Sequence, residues 1–167
     1  MKIENLVDFL LEVYKLKEIK RKGWIVKLNI NEAESVASHT FGMLLLASII
    51  YNKSDLMKNI SLHDIAEIKI GDLLPEEKDK ELEKKVYEEI VKNVAKDWNL
   101  PKSLDEIFRL EKIKELDRLD MALQALYYKE KGYPKEKLRE FIVSAEKEIK
   151  SKELKEILEE IKKRFEK

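Results

Sequence analysis

The sequence predicts an all-α fold, on three observations. Apolar residues recur at helical spacing through most of the chain. Glycine and proline are scarce, 4 and 3 in 167 residues, too few for a turn-rich sandwich, barrel or propeller. Only Trp24-Ile25-Val26 has strand character, and no second strand exists to pair with it. The length fits a single domain spanning 1–167, and a chain of this size buries roughly 70% of its unfolded surface. An apolar share of 44% beside 41% charged residues separates it from disordered chains.

About six helices are expected. Ile3, Leu6, Val7, Leu10, Val13 and Tyr14 fall on one side of a first helix ending near Lys17. The period breaks at Gly23, so Lys20 to Asn31 reads as a loop. Glu32 to Tyr51 reads as a helix buried on most sides. Its stretch Ser35 to Asn52 has 18 residues without an acidic or basic side chain, the threshold length for a membrane span. Ser35, Ser38, His39, Thr40, Ser48 and Asn52 interrupt it, however, and favour a buried helix of a soluble protein. A shorter helix is expected over Asn59 to Ile70, stopped near Gly71. Pro75 suits a first helical position, with Glu76 and Glu77 at the positive end of the dipole. Leu82, Val86, Ile90 and Val94 continue that helix to about Trp98. Ser103-Leu-Asp-Glu106 reads as a capping box opening a long helix to Lys131, with Gly132 as its stop. Pro134 begins the last amphipathic region.

Composition also narrows function. Lys plus Arg and Asp plus Glu are each 34, so the formal charge is zero, which argues against a nucleic-acid polymer or an anionic membrane as partner. No cysteine is present, so disulfides, thiolate zinc sites and a cysteine nucleophile are excluded. The excess of 29 Lys over 5 Arg, with a single Gln, resembles the composition of hyperthermophile proteins. The first apolar run, Leu6 to Tyr14, contains Asp8 and Glu12 and is no targeting signal, so a cytoplasmic protein is expected.

The two histidines are the candidates for chemistry. His39 lies in line with Val36 and Met43 on the buried helix. His63 is followed by Asp64, and Glu67 shares their helical side. Asp117 sits among Leu110, Ile113 and Met121. An unpartnered buried carboxylate costs several kcal/mol or more, and one divalent metal satisfies Asp64 and Asp117 together. Two imidazoles and two carboxylates suit Mn, Co, Fe, Ni or Zn, with two octahedral positions left for water and substrate. The residues equally allow His63 to pair with an acid while Asp117 bridges helices.

The order His39, His63-Asp64, Asp117 resembles the HD-domain metal-dependent phosphohydrolases. Flanking residues resemble their 5′-deoxyribonucleotidase branch. These are Arg21-Lys-Gly-Trp24, Glu34-Ser-Val-Ala-Ser-His39, the run from His63 through Glu67, Gly71 and Asp72 to Pro75, and Glu115-Leu-Asp117-Arg-Leu-Asp120 through Gln124. Ser38 stands where that branch carries an acid, and the stretch 76–110 is short. An acidic residue lines the nucleotide site in relatives, and the sequence does not place its counterpart there. The resemblance implies one divalent metal ion on His39, His63, Asp64 and Asp117. It implies Glu67 and Asp72 as catalytic residues, Glu67 orienting the water or serving as general acid or base and Asp72 near the attacking water or the sugar, with Arg21 on the phosphate and Trp24 walling the pocket. Asp120 and Gln124 share the Asp117 side of their helix. The expected substrate is a nucleoside 5′-monophosphate, and the expected assembly a homodimer, with the amphipathic C-terminal helices available as its interface. The alternatives are hydrolysis of another phosphoester and a regulatory nucleotide- or metal-binding module without turnover.

Overall fold

A computed structural model describes residues 2–167. Among them the chain is all-α, with eleven α-helices and two 3-10 turns. Helix α9 (Glu111–Glu130) is the spine. Against it pack α3 (Val36–Ile50), α10 (Lys135–Glu148) and α11 (Lys152–Glu166). Its inward residues Ile113, Leu116, Leu119, Ala122 and Ala125 are fully buried. The stripe Leu154, Leu158, Ile161 and Phe165 of α11 is buried in the same core. Each such side chain contributes about 1.5–3 kcal/mol. The apolar face of the C-terminal helices is therefore used inside the chain and is not free to form a dimer interface.

The helices exceed the expected six because five segments divide or appear where the pattern does not show it. The first helix, α1 (Lys2–Tyr14), stays single and is followed by a 3-10 turn, Lys15–Lys17. The expected loop Lys20 to Asn31 contains α2 (Lys22–Leu28). Gly23 falls in the first turn of α2, where its helix penalty is small. Trp24 and Leu28, four apart, go to the core, and Asn29 closes the helix in the left-handed region at φ 53°. A bridge between Lys20 and Ser35 pins the two ends of this excursion together, with Arg21 N–H donating to Glu34 O. Helix α3 starts at Val36 and not at Glu32, because Ser35 caps it by accepting from Ser38 N–H.

The expected helix Asn59 to Ile70 is two pieces, α4 (Ser54–Leu62) and α5 (Glu67–Ile70). Between them the bonding tightens to i→i+3, with Ile65 N–H donating to Leu62 O and Glu67 N–H to Asp64 O. Pro75 opens only a 3-10 turn, Pro75–Glu77. Asp79 then caps α6 (Lys80–Val91) through the N–H groups of Glu81 and Leu82, and α7 (Ala95–Trp98) follows. Ser103 does cap a helix, but it is the short α8 (Leu104–Phe108), and Leu110 leaves helical angles before α9 begins. In the C-terminal region Ile149 is buried in extended backbone between α10 and α11, and Ser151 docks on Glu115.

Candidate metal centre

Three elements bring the candidate ligands together. The buried face of α3 presents His39, the tight turn after α4 presents His63 and Asp64 in succession, and α9 presents Asp117. His63 Nε2 stands 3.0 Å from Asp64 Oδ2, and His39 Nε2 stands 4.0 Å from the same oxygen. Asp117 Oδ1 is 3.1 Å from His39 Nε2 without hydrogen-bond alignment. His39, His63 and Asp64 offer donor atoms within 4.8 Å of one another, and Asp117 joins from the His39 side. For donors about 2.0–2.2 Å from one ion, octahedral neighbours lie about 3.0 Å apart and opposite donors about 4.2 Å apart. The spacings here fit that set.

The pattern of unsatisfied atoms supports the fit. His39 Nε2, His63 Nε2 and Asp64 Oδ2 are buried and have no hydrogen-bond partner. Buried polar atoms are rarely left so. Their opposite nitrogens are committed. His63 Nδ1 donates to Ile60 O at 2.6 Å, and His39 Nδ1 donates to Asp120 Oδ2 at 2.7 Å. Both rings thus turn Nε2 toward the common point, as imidazole ligands require. Asp120 is itself seated against Gly42, whose missing side chain makes the room. A Cβ there would come within 2.0 Å of Asp120 Oδ1.

Arg21 enters from the cap of α2. Its Nη1 is 3.7 Å from Asp64 Oδ2 and 3.8 Å from Asp72 Oδ1. The other Asp72 oxygen accepts from Lys22 N–H at 2.5 Å, at the positive end of α2. Asp72 therefore fastens the Arg21 segment to the site. Trp24, expected to wall the substrate pocket, is instead core at 1% exposed. Its ring lies 4.0 Å from that of Phe141 and 5.1 Å from that of Tyr128. Its indole N–H donates to Glu34 Oε1 at 2.7 Å. Glu34 and Asp120 face a cavity of about 350 Å³ behind α3, lined also by Ser38, Phe41, Gln124 and Tyr127.

The charges differ in state. Burial works against the Asp64 charge, yet His63, His39 and Arg21 outweigh it and hold the carboxyl well below its usual range. Asp117 is likewise lowered, burial being overcome by His39 and Arg21. Burial and Arg21 disfavour protonated His39, and Asp117 and Asp120 reverse this, pushing it up to about 10. Glu67 goes the other way: burial, then Asp64 and Asp72, raise it well above the carboxylate range. The site therefore favours charge on the ligand carboxyls and disfavours it on Glu67. Sequence reasoning left open what Asp120 does; its place three residues after Asp117 was the available signal.

Residues 13–162 match the family profile described as HD domain. The chain belongs to the HD-domain family. The matched stretch contains one His-Asp pair, His63-Asp64. Among curated relatives, 5′-deoxynucleotidase HDDC2 of Danio rerio is 31% identical over 160 residues, covering 86% of this chain and 80% of that protein. The Homo sapiens protein of the same name is 28% identical, covering 94% and 84%. The chain thus falls with the 5′-deoxynucleotidases of the family. A solved protein from Pyrococcus furiosus shares the fold with a TM-score of 0.68 and 30% identity, over 94% of this chain and 99% of that one.

Proposed function

We propose that this HD domain is a metal-dependent phosphomonoester hydrolase that converts deoxyribonucleoside 5′-monophosphates to nucleoside and phosphate. The observation that carries the reading is the convergence of three buried, partnerless donor atoms beside Arg21. Curated 5′-deoxynucleotidases similar over most of the chain supply the substrate class. His39, His63, Asp64 and Asp117 hold one divalent ion, drawn from Mn, Co, Fe, Ni and Zn. Such an ion supplies Lewis acidity toward a phosphoryl oxygen and lowers the pKa of a water. Arg21 binds phosphate oxygens in fork geometry. Hydrolysis forms one P–O bond to water and breaks the P–O5′ bond, so the departing 5′ oxygen needs a proton. Glu67, whose carboxyl burial, Asp64 and Asp72 push upward, is the general acid that supplies it. Asp72 orients Arg21 through the start of α2. Trp24 acts at one remove, by fixing Glu34. The molecule works as a homodimer joined through the exposed α3 face that carries Phe41, Leu45 and Ile49.

The test is phosphate release from a panel of nucleotides, with chelated and reloaded protein. Chelation should abolish turnover, and Mn²⁺ or Co²⁺ should restore it on deoxyribonucleoside 5′-monophosphates. Glu67→Ala should keep about one metal per chain and lose about 10²–10⁴-fold in kcat. Full activity in excess chelator, or none on any nucleotide with any metal, would rule this function out.

A further inference from the structure

A lysine outside every motif faces the same site. Lys78 lies in the short link between the 3-10 turn Pro75–Glu77 and α6. Its Nζ stands 3.8 Å from Glu67 Oε1 and 3.9 Å from Glu83 Oε1. The Glu67 side chain is nearly buried, while Lys78 is 36% exposed, so the amine sits at the mouth with the carboxyl beneath it.

The backbone on both sides of Lys78 is fixed. Before it, Glu77 accepts from Leu74 N–H and pairs with Lys22 Nζ at 2.5 Å. After it, Asp79 caps α6. Lys22 also donates its N–H to Asp72. One residue, Lys22, therefore ties the Lys78 link and the Arg21 segment to a common frame, with the two cations beside Glu67 and Asp64 respectively.

Lys78 belongs with the lysines that stand off from their carboxylates, such as Lys15 and Lys163, and differs from them in lying over the buried Glu67. Lys22, Lys69 and Lys162 bond carboxylates at 2.5–2.7 Å. Lys78 and Arg21 stay at 3.7–3.9 Å from theirs, beyond hydrogen-bond range. Their N–H groups are held near the site without being consumed by it. Four carboxyl groups, Asp64, Glu67, Asp72 and Asp117, surround the space, and a phosphate dianion needs cations there besides one metal ion.

We infer that Lys78 is a second phosphate-binding residue, standing beside Glu67 as Arg21 stands beside Asp64, and donating to a phosphate oxygen of the substrate. The inference rests on the phosphohydrolase reading and extends it to a residue that no motif marks. The metal-loaded wild type, Lys78→Met and Lys78→Arg are compared by steady-state kinetics on a deoxyribonucleoside 5′-monophosphate. Calorimetric titration with inorganic phosphate and metal analysis are run on the same protein. Lys78→Met should raise KM and the phosphate Kd about 10–100-fold, the equivalent of one lost charge-assisted hydrogen bond. Its kcat should change less than its KM, its metal content should stay at the wild-type level, and Lys78→Arg should recover most of the phosphate affinity. Unchanged KM and phosphate affinity in Lys78→Met, in an active enzyme, overturn the role of Lys78 and leave the hydrolase reading intact. If the wild type turns over no nucleotide, the hydrolase reading falls, and a Lys78-dependent phosphate Kd still supports the binding role. Equal loss of affinity in Lys78→Met and Lys78→Arg, with reduced metal content, marks Lys78 as structural and overturns the inference.

Discussion

His39 shows how one ring can be aimed from both sides. Its Nδ1–H goes to Asp120 and its Nε2 to the shared point, and Asp120 keeps its place only because Gly42 has no side chain. Removing an outer partner of a ligand imidazole typically costs 10–100-fold in metal affinity. Asp120→Asn should therefore weaken metal binding by about that factor, read by competition with a chelating dye, while the fold survives. Gly42→Ala should do the same without touching any polar group, because the new methyl evicts Asp120. The double variant should be no worse than the poorer single, since both act on one contact. Additive losses would show that Gly42 serves only helix packing. The four ligand candidates were legible at this scale because ligand-type side chains on apolar positions stand out. The placement of Trp24 was not, since Tyr128 and Phe141, more than a hundred residues away in sequence, decide where its ring lies.

Helical periodicity reveals that a segment is helical more readily than where it stops. Among the described residues the breaks at Leu110 and Ile149 carry neither glycine nor proline. The break at Ile149 arises because tertiary partners win: Ile149 is buried, and Glu115 takes the N–H of Ser151. The two C-terminal helices, separated by such a break, are clasped at their far end. Arg139 holds Glu166 with Nη1 at 2.6 Å and Nη2 at 3.2 Å, and Lys135 adds a third contact at 2.9 Å. Arg139, then Lys135, lower the Glu166 carboxyl from 4.5 to about 2. A carboxyl lowered on folding stabilises above its unfolded pKa, and that contribution fades as pH falls through the folded one. The thermal midpoint of the wild type should therefore exceed that of Glu166→Gln at pH 7 and converge on it between about pH 4.5 and 2. The gap should shrink in high salt, because the clasp is exposed. A constant gap across that range would remove the charge from the explanation.

At the scale of the whole molecule the proposed homodimer turns on which surface would meet a second copy. The C-terminal helices bury their apolar stripe against α9, so the free apolar surface lies elsewhere. Two helices carry more than one exposed large apolar residue each. Helix α1 exposes Ile3, Val7, Leu10, Leu11 and Tyr14, but Lys2, Glu4, Asp8 and Glu12 lie on the same short helix. Helix α3 exposes Phe41 at 67%, Leu45 at 49% and Ile49 at 73%, four residues apart in line. From Val36 to Ile50 it holds no Asp, Glu, Lys or Arg, and its one histidine, His39, is fully buried on the inner side, so nothing charged on the helix must lose its water when that face is covered. A single row of this kind, meeting its own copy across a twofold axis, makes a self-complementary seam. The helix that carries His39 and Gly42 on its inner side would then be braced from outside as well. Light scattering should give the wild type twice the 19.8 kDa chain mass and Phe41→Glu/Ile49→Glu the mass of one chain. The wild-type thermal midpoint should rise with protein concentration, and that of the double variant should not. A wild type of single-chain mass at all concentrations sinks the dimer. A double variant that stays dimeric, while Val7→Glu/Leu11→Glu becomes monomeric, moves the seam to α1.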